Sequence, residues 1–204
     1  KEALLEDTVL EKVFKHLESG KLAQQLALVE DERKVLRSLH LLTMKPIIYV
    51  LNSKNGANTV DTEEVMKFFK ESGSKWVMVD AGIEQELSAF EGGEKDEYRK
   101  ALDVKDDGIN NLIKMGYEIL DLITFLTTGE DETRAWTIKR GWTAPLAGTA
   151  IHTDFKDKFI RADVINWQEL LNAGSYGSAR EKGLVRTEGK EYVVKDGDVV
   201  EFKI

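Results

Sequence analysis

A histidine and an aspartate lie two residues apart in the C-terminal third of the chain, in the stretch AGTAIHTDFKDKFIRADVI from Ala147 to Ile165. Such a pair could act as a general acid and base, because histidine exchanges protons near neutral pH and a carboxylate can orient its ring. In the sequence, neither a nucleophile nor a metal-binding cluster accompanies His152 and Asp154. We therefore interpret His152 as a loop or strand-end histidine rather than as a catalytic group.

Basic residues in and after the same stretch could instead contact phosphate groups. They are Lys156, Lys158, Arg161, Arg180, Lys182 and Arg186. The apolar rhythm of the stretch predicts a strand, so the alternative is that its lysines line a solvated strand edge and deter edge-to-edge pairing. Spacing alone leaves both interpretations open.

Composition limits the classes of function. The chain has 204 residues, of which 42% are hydrophobic, enough for one large domain or two small ones. The absence of cysteine excludes disulfides, cysteine-ligated zinc and thiol catalysis, and three scattered histidines cannot by themselves form a three-histidine metal site. No apolar run approaches the ~18 residues of a membrane span, and the first residues do not resemble a signal peptide. We therefore expect a cytoplasmic protein without a membrane partner.

The charge of the chain is acidic overall and uneven. The net charge of -8 argues against a nucleic-acid binder that uses the whole chain, and we expect no DNA partner. Residues 1–120 carry 17 basic and 23 acidic side chains, whereas residues 121–204 carry 12 and 14. A local basic face is therefore expected in the C-terminal part.

The N-terminal part predicts helices followed by a parallel sheet. The second helix is predicted to place Leu36, Leu39 and Leu42 on its inner side. The runs KPIIYVLN (45–52) and KWVMVDA (75–81) are almost entirely apolar, which predicts parallel strands buried on both faces. Two strands are too few for a stable doubly wound domain, so we expect further strands upstream.

The composition changes after Asp121, where short β-rich runs are divided by glycine and aspartate. The turn at 196–198 between YVV and VVEF predicts a β-hairpin. Residues 121–204 therefore predict a separate α+β domain. The sequence contains neither a G-x-x-x-x-G-K-[ST] loop nor a G-x-G-x-x-G motif, so it offers no cradle for a nucleoside triphosphate.

The longest motifs resemble a known family. The run RAWTIKRGWTAPLAGTAIHTDFKDKFIRADVI, followed by EGKEYVVKDGDVVEFKI, is similar to the C-terminal TGS domain of the YchF-type, Obg-related P-loop NTPases. Upstream, HLLTMKPIIYVLN resembles the strand that leads to the base-recognition loop of that family. The resemblance covers nearly the whole chain. It implies a helical coiled-coil remnant (1–43), the second half of an α/β G domain with a parallel sheet (44–120), and an α+β TGS domain with the ubiquitin-like β-grasp fold (121–204).

The resemblance also implies a site for the nucleotide base. Asn52 matches the asparagine of the family's Asn-x-x-Glu recognition loop, Ser53 lies within the loop, and Asn55 stands where glutamate is expected. Ala81 falls in the second base-site segment, VDAGIEQEL, in which Asp80 replaces the usual serine. The family favours ATP over GTP. An asparagine at position 55 agrees with relaxed or adenine-favouring specificity, because no carboxylate would hold the guanine edge.

The implied function is that of a ribosome-associated protein that binds ATP or GTP with Mg²⁺ and hydrolyses it in a longer form. The family's phosphate loop, switch regions and Asp-x-x-Gly magnesium segment would lie before Lys1, so we expect no hydrolysis and no tight nucleotide binding by this chain alone. The alternative is a non-enzymatic adaptor that binds RNA or the ribosome through the six basic residues named above. Half of a parallel sheet with an exposed edge also predicts self-association, and the oligomeric state stays open.

Overall fold

The computed structural model describes residues 2–54, 62–102, 108–129 and 132–204. The chain divides into two compact units, Lys1–Met115 and Gly116–Ile204. The domain boundaries expected at 43/44 and 120/121 stay predictions.

The first unit begins with helices that pack around a small apolar cluster. These elements are α1 (Glu2–Glu18), the 3₁₀ helix Ala23–Gln25, α2 (Glu30–Arg37) and the 3₁₀ helix Leu42–Met44. The cluster is formed by Val9, Val13, Ala23 and Leu36, all buried. The prediction was right for Leu36 but wrong for Leu39 and Leu42, which are 46% and 79% exposed. The reason is that α2 ends at Arg37, so both later leucines no longer lie on the helix face that packs inward.

A two-stranded parallel sheet follows, with helices before and after its second strand. The elements are β1 (Ile48–Asn52), α3 (Thr62–Ser72), β2 (Lys75–Val79), α4 (Ala81–Leu87), α5 (Gly93–Ala101) and α6 (Gly108–Ile119). The strands run in register from Ile48 opposite Lys75 to Asn52 opposite Val79, so the predicted parallel α/β pairing is confirmed. The predicted burial of both faces was wrong for β1. Val50 is 46% exposed, beside an open groove between β1 and α3.

The second unit is a five-stranded sheet of order β4-β3-β7-β5-β6. Its elements are β3 (Leu122–Thr128), β4 (Thr133–Lys139), α7 (Ala144–Gly148), α8 (Asp154–Lys158), β5 (Arg161–Asn166), α9 (Trp167–Ala173), α10 (Tyr176–Glu181), β6 (Arg186–Glu188) and β7 (Asp198–Lys203). Strands β3 and β7 are parallel, and the other neighbouring pairs are antiparallel. One apolar cluster contains Phe125, Phe159 and Val164, and another contains Ile165, Ala179 and Val199.

Two local predictions were wrong in this unit. The turn before Asp198 does not close a hairpin, because β7 pairs with β5 and β3, while Val193 makes an isolated bridge to Thr143. The stretch 147–165 is not one strand. Its basic middle forms α8, in which Asp154 and Lys158 are one helical turn apart and form an ion pair.

Candidate functional site

The two loops predicted to form the base site are joined by a hydrogen bond. Asn52 is the last residue of β1, and its Oδ1 accepts from the backbone N–H of Ala81, at 3.1 Å. The N–H of Ser53 donates to the carbonyl of Val79 at 3.0 Å, which extends the strand pairing by one residue. Because β1 and β2 are parallel, their carboxyl ends meet at one edge of the sheet, where ligands bind in open α/β folds. The structure thus brings together three of the four predicted base-site residues, and Asn55 lies outside the described residues.

Asp80 shapes the second of these loops. Its Oδ1 accepts from the N–H groups of Gly82 (3.0 Å) and Ile83 (3.1 Å), so this carboxylate is the N-cap of α4. The cap fixes where the helix begins and therefore where the N–H of Ala81 is presented to Asn52. Both Asn52 and Ala81 are exposed, so the joined loops form an accessible surface.

The histidine–aspartate pair of the sequence does not have the geometry of an acid/base dyad. The Nδ1 of His152 accepts from the backbone N–H of Asp154 at 3.2 Å and lies 3.6 Å from the carboxylate. That carboxylate accepts instead from Lys158 at 2.5 Å, and this hydrogen bond lowers the pKa of Asp154. The pair therefore belongs to the start of a short surface helix.

Two of the six basic candidates lie beside buried carboxylates. Arg180 donates to Asp163 at 2.9 Å, and Thr187 donates to the other oxygen of this aspartate, which is only 4% exposed. Arg186 donates to the hydroxyl of Tyr192 at 3.3 Å and lies 4.0 Å from buried Asp198. A buried carboxylate requires nearby partners, so both arginines help to compensate buried charge, and their contact with RNA or the ribosome stays a prediction.

Three other candidates remain available to a partner. Within the described parts of the chain, Lys156, Arg161 and Lys182 are exposed and make no ion pair. Sequence reasoning missed Lys203, which lies on β7 directly opposite Arg161 on β5 and is itself paired with Glu201. Finding Lys203 would have required the register of β5 against β7. Local spacing does not reveal this register, because the two strands are far apart in sequence.

The described residues suggest no metal centre or membrane segment. Among residues 2–54, 62–102, 108–129 and 132–204, no three His, Asp or Glu side chains are grouped so that they could hold a metal ion. In the same ranges, no helix is both long and apolar enough to cross a membrane.

Comparison with known proteins identifies the type of protein. The family model YchF-GTPase_C, described as "Protein of unknown function (DUF933)", matches residues 122–204. The "Ribosome-binding ATPase YchF" of Bacillus subtilis (strain 168) is 40% identical over 208 residues, which is 100% of this chain and 57% of the relative. This chain is of the YchF type. The resemblance to YchF-type proteins is thereby confirmed, whereas the TGS domain and the coiled-coil remnant stay predictions.

Further relatives of this YchF-type chain agree. The protein of the same name in Escherichia coli O157:H7 is 38% identical over 99% of this chain and 56% of its own length. The "Structure of the Schizosaccharomyces pombe YchF GTPase" has a TM-score of 0.84 and 32% identity, covering 96% of this chain and 53% of that one. The chain thus spans about half the length of the relatives that it matches.

Proposed function

We propose that this YchF-type chain supplies the base-recognition part of a nucleotide-binding domain, followed by a binding module with the β-grasp TGS fold. The whole protein would be a cytoplasmic, ribosome-associated enzyme that hydrolyses ATP in preference to GTP, with Mg²⁺ bound together with the nucleotide. The names of the relatives support this proposal, since two are called ribosome-binding ATPases and the solved structure is called a GTPase. Residues 1–43 would be the end of a coiled-coil insertion.

The hydrogen bond between Asn52 and Ala81 carries the nucleotide part of the proposal. It holds two separate loops side by side at the carboxyl edge of a parallel sheet, 29 residues apart in sequence. The side-chain amide of Asn52 still has its Nδ2 donors for a ring nitrogen or a carbonyl of a base. Asp80 is the N-cap of α4 and fixes its first turn, which holds the N–H of Ala81 in place for the hydrogen bond to Asn52.

The experiment joins this chain to the preceding region of the Bacillus subtilis relative and measures hydrolysis of ATP and GTP. We expect ATP to be preferred, and we expect Asn52→Ala to raise KM for ATP roughly tenfold with little change in kcat, because base contacts are the same in the ground and transition states. Asn172→Ala is the matched control, since this residue is exposed on α9. An unchanged KM in Asn52→Ala would refute the base site.

A second measurement concerns the chain alone. Catalysis of phosphoryl transfer depends on positioning of the phosphates, and the sequence contains no phosphate loop. We therefore expect no turnover of ATP or GTP above background by residues 1–204. Clear turnover by the purified chain would refute this part of the proposal.

A non-enzymatic RNA or ribosome adaptor is the second candidate, and three exposed cations of the second unit support it. Lys156, Arg161 and Lys182 are exposed cations without an ion pair in the described parts of the chain. Contacts of lysine and arginine with phosphates release counterions, so binding should weaken steeply as salt is raised.

The test is co-sedimentation of residues 1–204 with ribosomes at several salt concentrations. The triple variant Lys156→Gln, Arg161→Gln, Lys182→Gln should bind more weakly, and its salt slope should fall by about one for each phosphate contact removed. The control variant removes three paired lysines of the first unit: Lys15, Lys34 and Lys67. Equal losses in both variants, or binding that does not depend on salt, would refute the adaptor.

A further inference from the structure

A basic cavity lies in the helical part of the first unit, away from the base loops in sequence. It is open to solvent, has a volume of about 480 Å³ and is lined by α2 and the segment that follows it up to Lys45. Four basic residues line it: Arg33, Arg37, His40 and Lys45. Cavities of a few hundred Å³ are of the size that binds small molecules.

The positions of the arginines follow from the helix. Arg33 and Arg37 are one turn apart and therefore share a face of α2. His40 follows the helix with a positive φ of 47°, a left-handed conformation that residues other than glycine adopt rarely. The chain reverses there and brings the segment up to Lys45 against the same face.

Only some of the cations at this cavity are paired with a carboxylate. Arg37 donates to Glu30 at 2.7 Å, whereas Arg33 donates through Nε to the carbonyl of Leu28 at 3.3 Å. That contact leaves the terminal nitrogens of Arg33 for another acceptor. In the described ranges, neither Arg33 nor Lys45 makes an ion pair.

The other carboxylates of α2 are already bound to lysines. Asp31 accepts from Lys34 at 2.9 Å, and Glu32 accepts from Lys12 at 3.0 Å. Basic residues in a last helical turn also offset the helix dipole, so their presence alone would not define a site. What distinguishes this group is the cavity between them.

The remaining lining of the cavity is apolar. Leu36 is buried in the helical cluster, and Leu41 and Met44 pack against that cluster. A phosphate alone would not use these side chains. A ligand with both a phosphate and an apolar or aromatic body would use the whole cavity.

We propose that this cavity binds a small organic phosphate, with the phosphate at Arg33 and Lys45 and the uncharged body on Leu36, Leu41 and Met44. Bidentate recognition of a phosphate suits an arginine guanidinium, and a lysine adds a point charge. The site is separate from the base loops and does not depend on the proposed function.

The test follows side-chain NMR signals of His40 and Arg33 in the whole chain while phenyl phosphate is added. Inorganic phosphate and phenol are titrated separately, because each represents one half of the ligand. We expect saturable shifts with phenyl phosphate, tighter than with inorganic phosphate, and none with phenol. Lys45→Gln and Arg33→Gln should each weaken binding about tenfold, the effect of one charge-assisted hydrogen bond.

Three controls give the test its specificity. Lys34→Gln removes a charge from the same helix outside the cavity and should leave binding unchanged. Asn52→Ala alters the base loops and should also leave it unchanged, so failure of the base site does not affect this result. In the described ranges, the side chain of Lys45 makes no hydrogen bond or ion pair that Lys45→Gln would remove, so this variant remains informative if Arg33→Gln fails to fold.

Other results would overturn the proposal. These are the absence of saturable shifts, equal affinity for inorganic phosphate and phenyl phosphate, or equal effects of Lys34→Gln and Lys45→Gln. A single-stranded RNA with hydroxyl groups at both ends offers only phosphodiesters. If this RNA shifts the signals of His40 and phenyl phosphate does not, the cavity recognises a nucleic-acid backbone and the proposal is wrong.

Discussion

Strands β1 and β5 are both rich in apolar residues, but their surroundings differ. Val164 and Ile165 of β5 are 0% exposed, whereas Val50 of β1 is 46% exposed. Strand β5 lies between β7 and β6 and contributes to an apolar cluster on each face of its sheet. Strand β1 pairs with β2 and lines an open groove. An apolar run therefore specifies a strand, but its burial depends on neighbours that are distant in sequence.

The largest expected effect tests this difference with two phenylalanines. Phe125 of the second unit is 0% exposed, and Phe68 of the first is 48% exposed. We expect Phe125→Ala to destabilise its unit by about 3–5 kcal/mol, because it leaves a cavity in a closed core. Phe68→Ala should cost about 1 kcal/mol, because half of that ring is already in water. Urea unfolding followed by amide signals from each unit measures both, and equal losses would contradict the comparison.

Alanine variants of two glycines with positive φ distinguish the cost of backbone strain from the cost of a steric clash. A Cβ at Gly197 (φ 78°) would lie 2.6 Å from Cδ1 of Trp167, whereas a Cβ at Gly73 (φ 63°) would meet nothing within 4 Å. Gly73→Ala should cost about 1 kcal/mol from strain alone. Gly197→Ala should cost about 2–4 kcal/mol, because the tryptophan must also move.

The same unfolding measurement checks the glycine pair. A third variant, Gly189→Ala, has neither a positive φ nor a neighbour within 4 Å and should be close to neutral. If Gly197→Ala were no worse than Gly73→Ala, the contact with Trp167 would not limit this turn.

Local sequence patterns predicted individual strands and helices, but they failed where the structure depends on pairing between strands that are distant in sequence. The apolar runs located β1 and β2, and parallel pairing followed from the helix between them. The glycine turn before Asp198 looked like a hairpin because the sequence does not show that β7 is more stable between β3 and β5. The helix α8 was missed because its five residues are too few to show a helical period.

The candidate sites also separate into those that local sequence predicts and those that depend on long-range contacts. Asn52 and Ala81 were predicted from a family resemblance, and their hydrogen bond needs only the parallel register of two adjacent strands. Arg180 was predicted to contact RNA or the ribosome, which stays a prediction; the structure adds that it is bound to Asp163. The signal was an aspartate between Ala162 and Val164 in a strand. Because side chains alternate along a strand, Asp163 shares a face with Ile165, and a carboxylate beside an apolar residue there needs a polar partner.

The third prediction compares two tyrosines that each donate to a carboxylate. Tyr98 donates to Glu86 at 2.6 Å in an exposed pair, and Tyr192 donates to Asp198 at 2.7 Å in a partly buried pair. The hydrogen bond with Glu86 raises the pKa of Tyr98, while burial, followed by the hydrogen bond with Asp198, raises that of Tyr192. A tyrosine with a raised pKa stabilises the folded state fully below the unfolded value of about 10, and this stabilisation is lost as pH rises through the folded pKa.

We therefore expect the second unit to lose stability above about pH 10, by at most about 1.4 kcal/mol per pH unit from this single proton. Tyr192→Phe should reduce that slope, and Tyr98→Phe should change the slope of the first unit less, because water screens an exposed pair. The measurement is the free energy of unfolding at several alkaline pH values. If the free energy of unfolding fell equally with pH in the wild-type chain and in Tyr192→Phe, the hydroxyl of Tyr192 would not have a raised pKa in the folded state.

The smallest effect concerns two lysine–carboxylate pairs on the surface. Lys12 donates to Glu32 at 3.0 Å, and Lys158 donates to Asp154 at 2.5 Å. The pKa of Glu32 is lowered first by the backbone N–H of Val29 and then by Lys12, whereas that of Asp154 is lowered first by Lys158. Lys158→Gln should therefore return the pKa of Asp154 toward its ordinary value, while Lys12→Gln should leave the pKa of Glu32 lowered.

NMR titration of the carboxyl carbons measures both pKa values. A lowered carboxyl pKa stabilises the folded state above the unfolded pKa, and this contribution is lost as pH falls through the folded pKa, so any effect on stability appears only in acid. An unchanged pKa of Asp154 in Lys158→Gln would mean that the helical pair does not form in solution. Lys158 would then join Lys156, Arg161 and Lys182 as a cation available to phosphates, and the basic surface of the second unit would be larger than its ion pairs indicate.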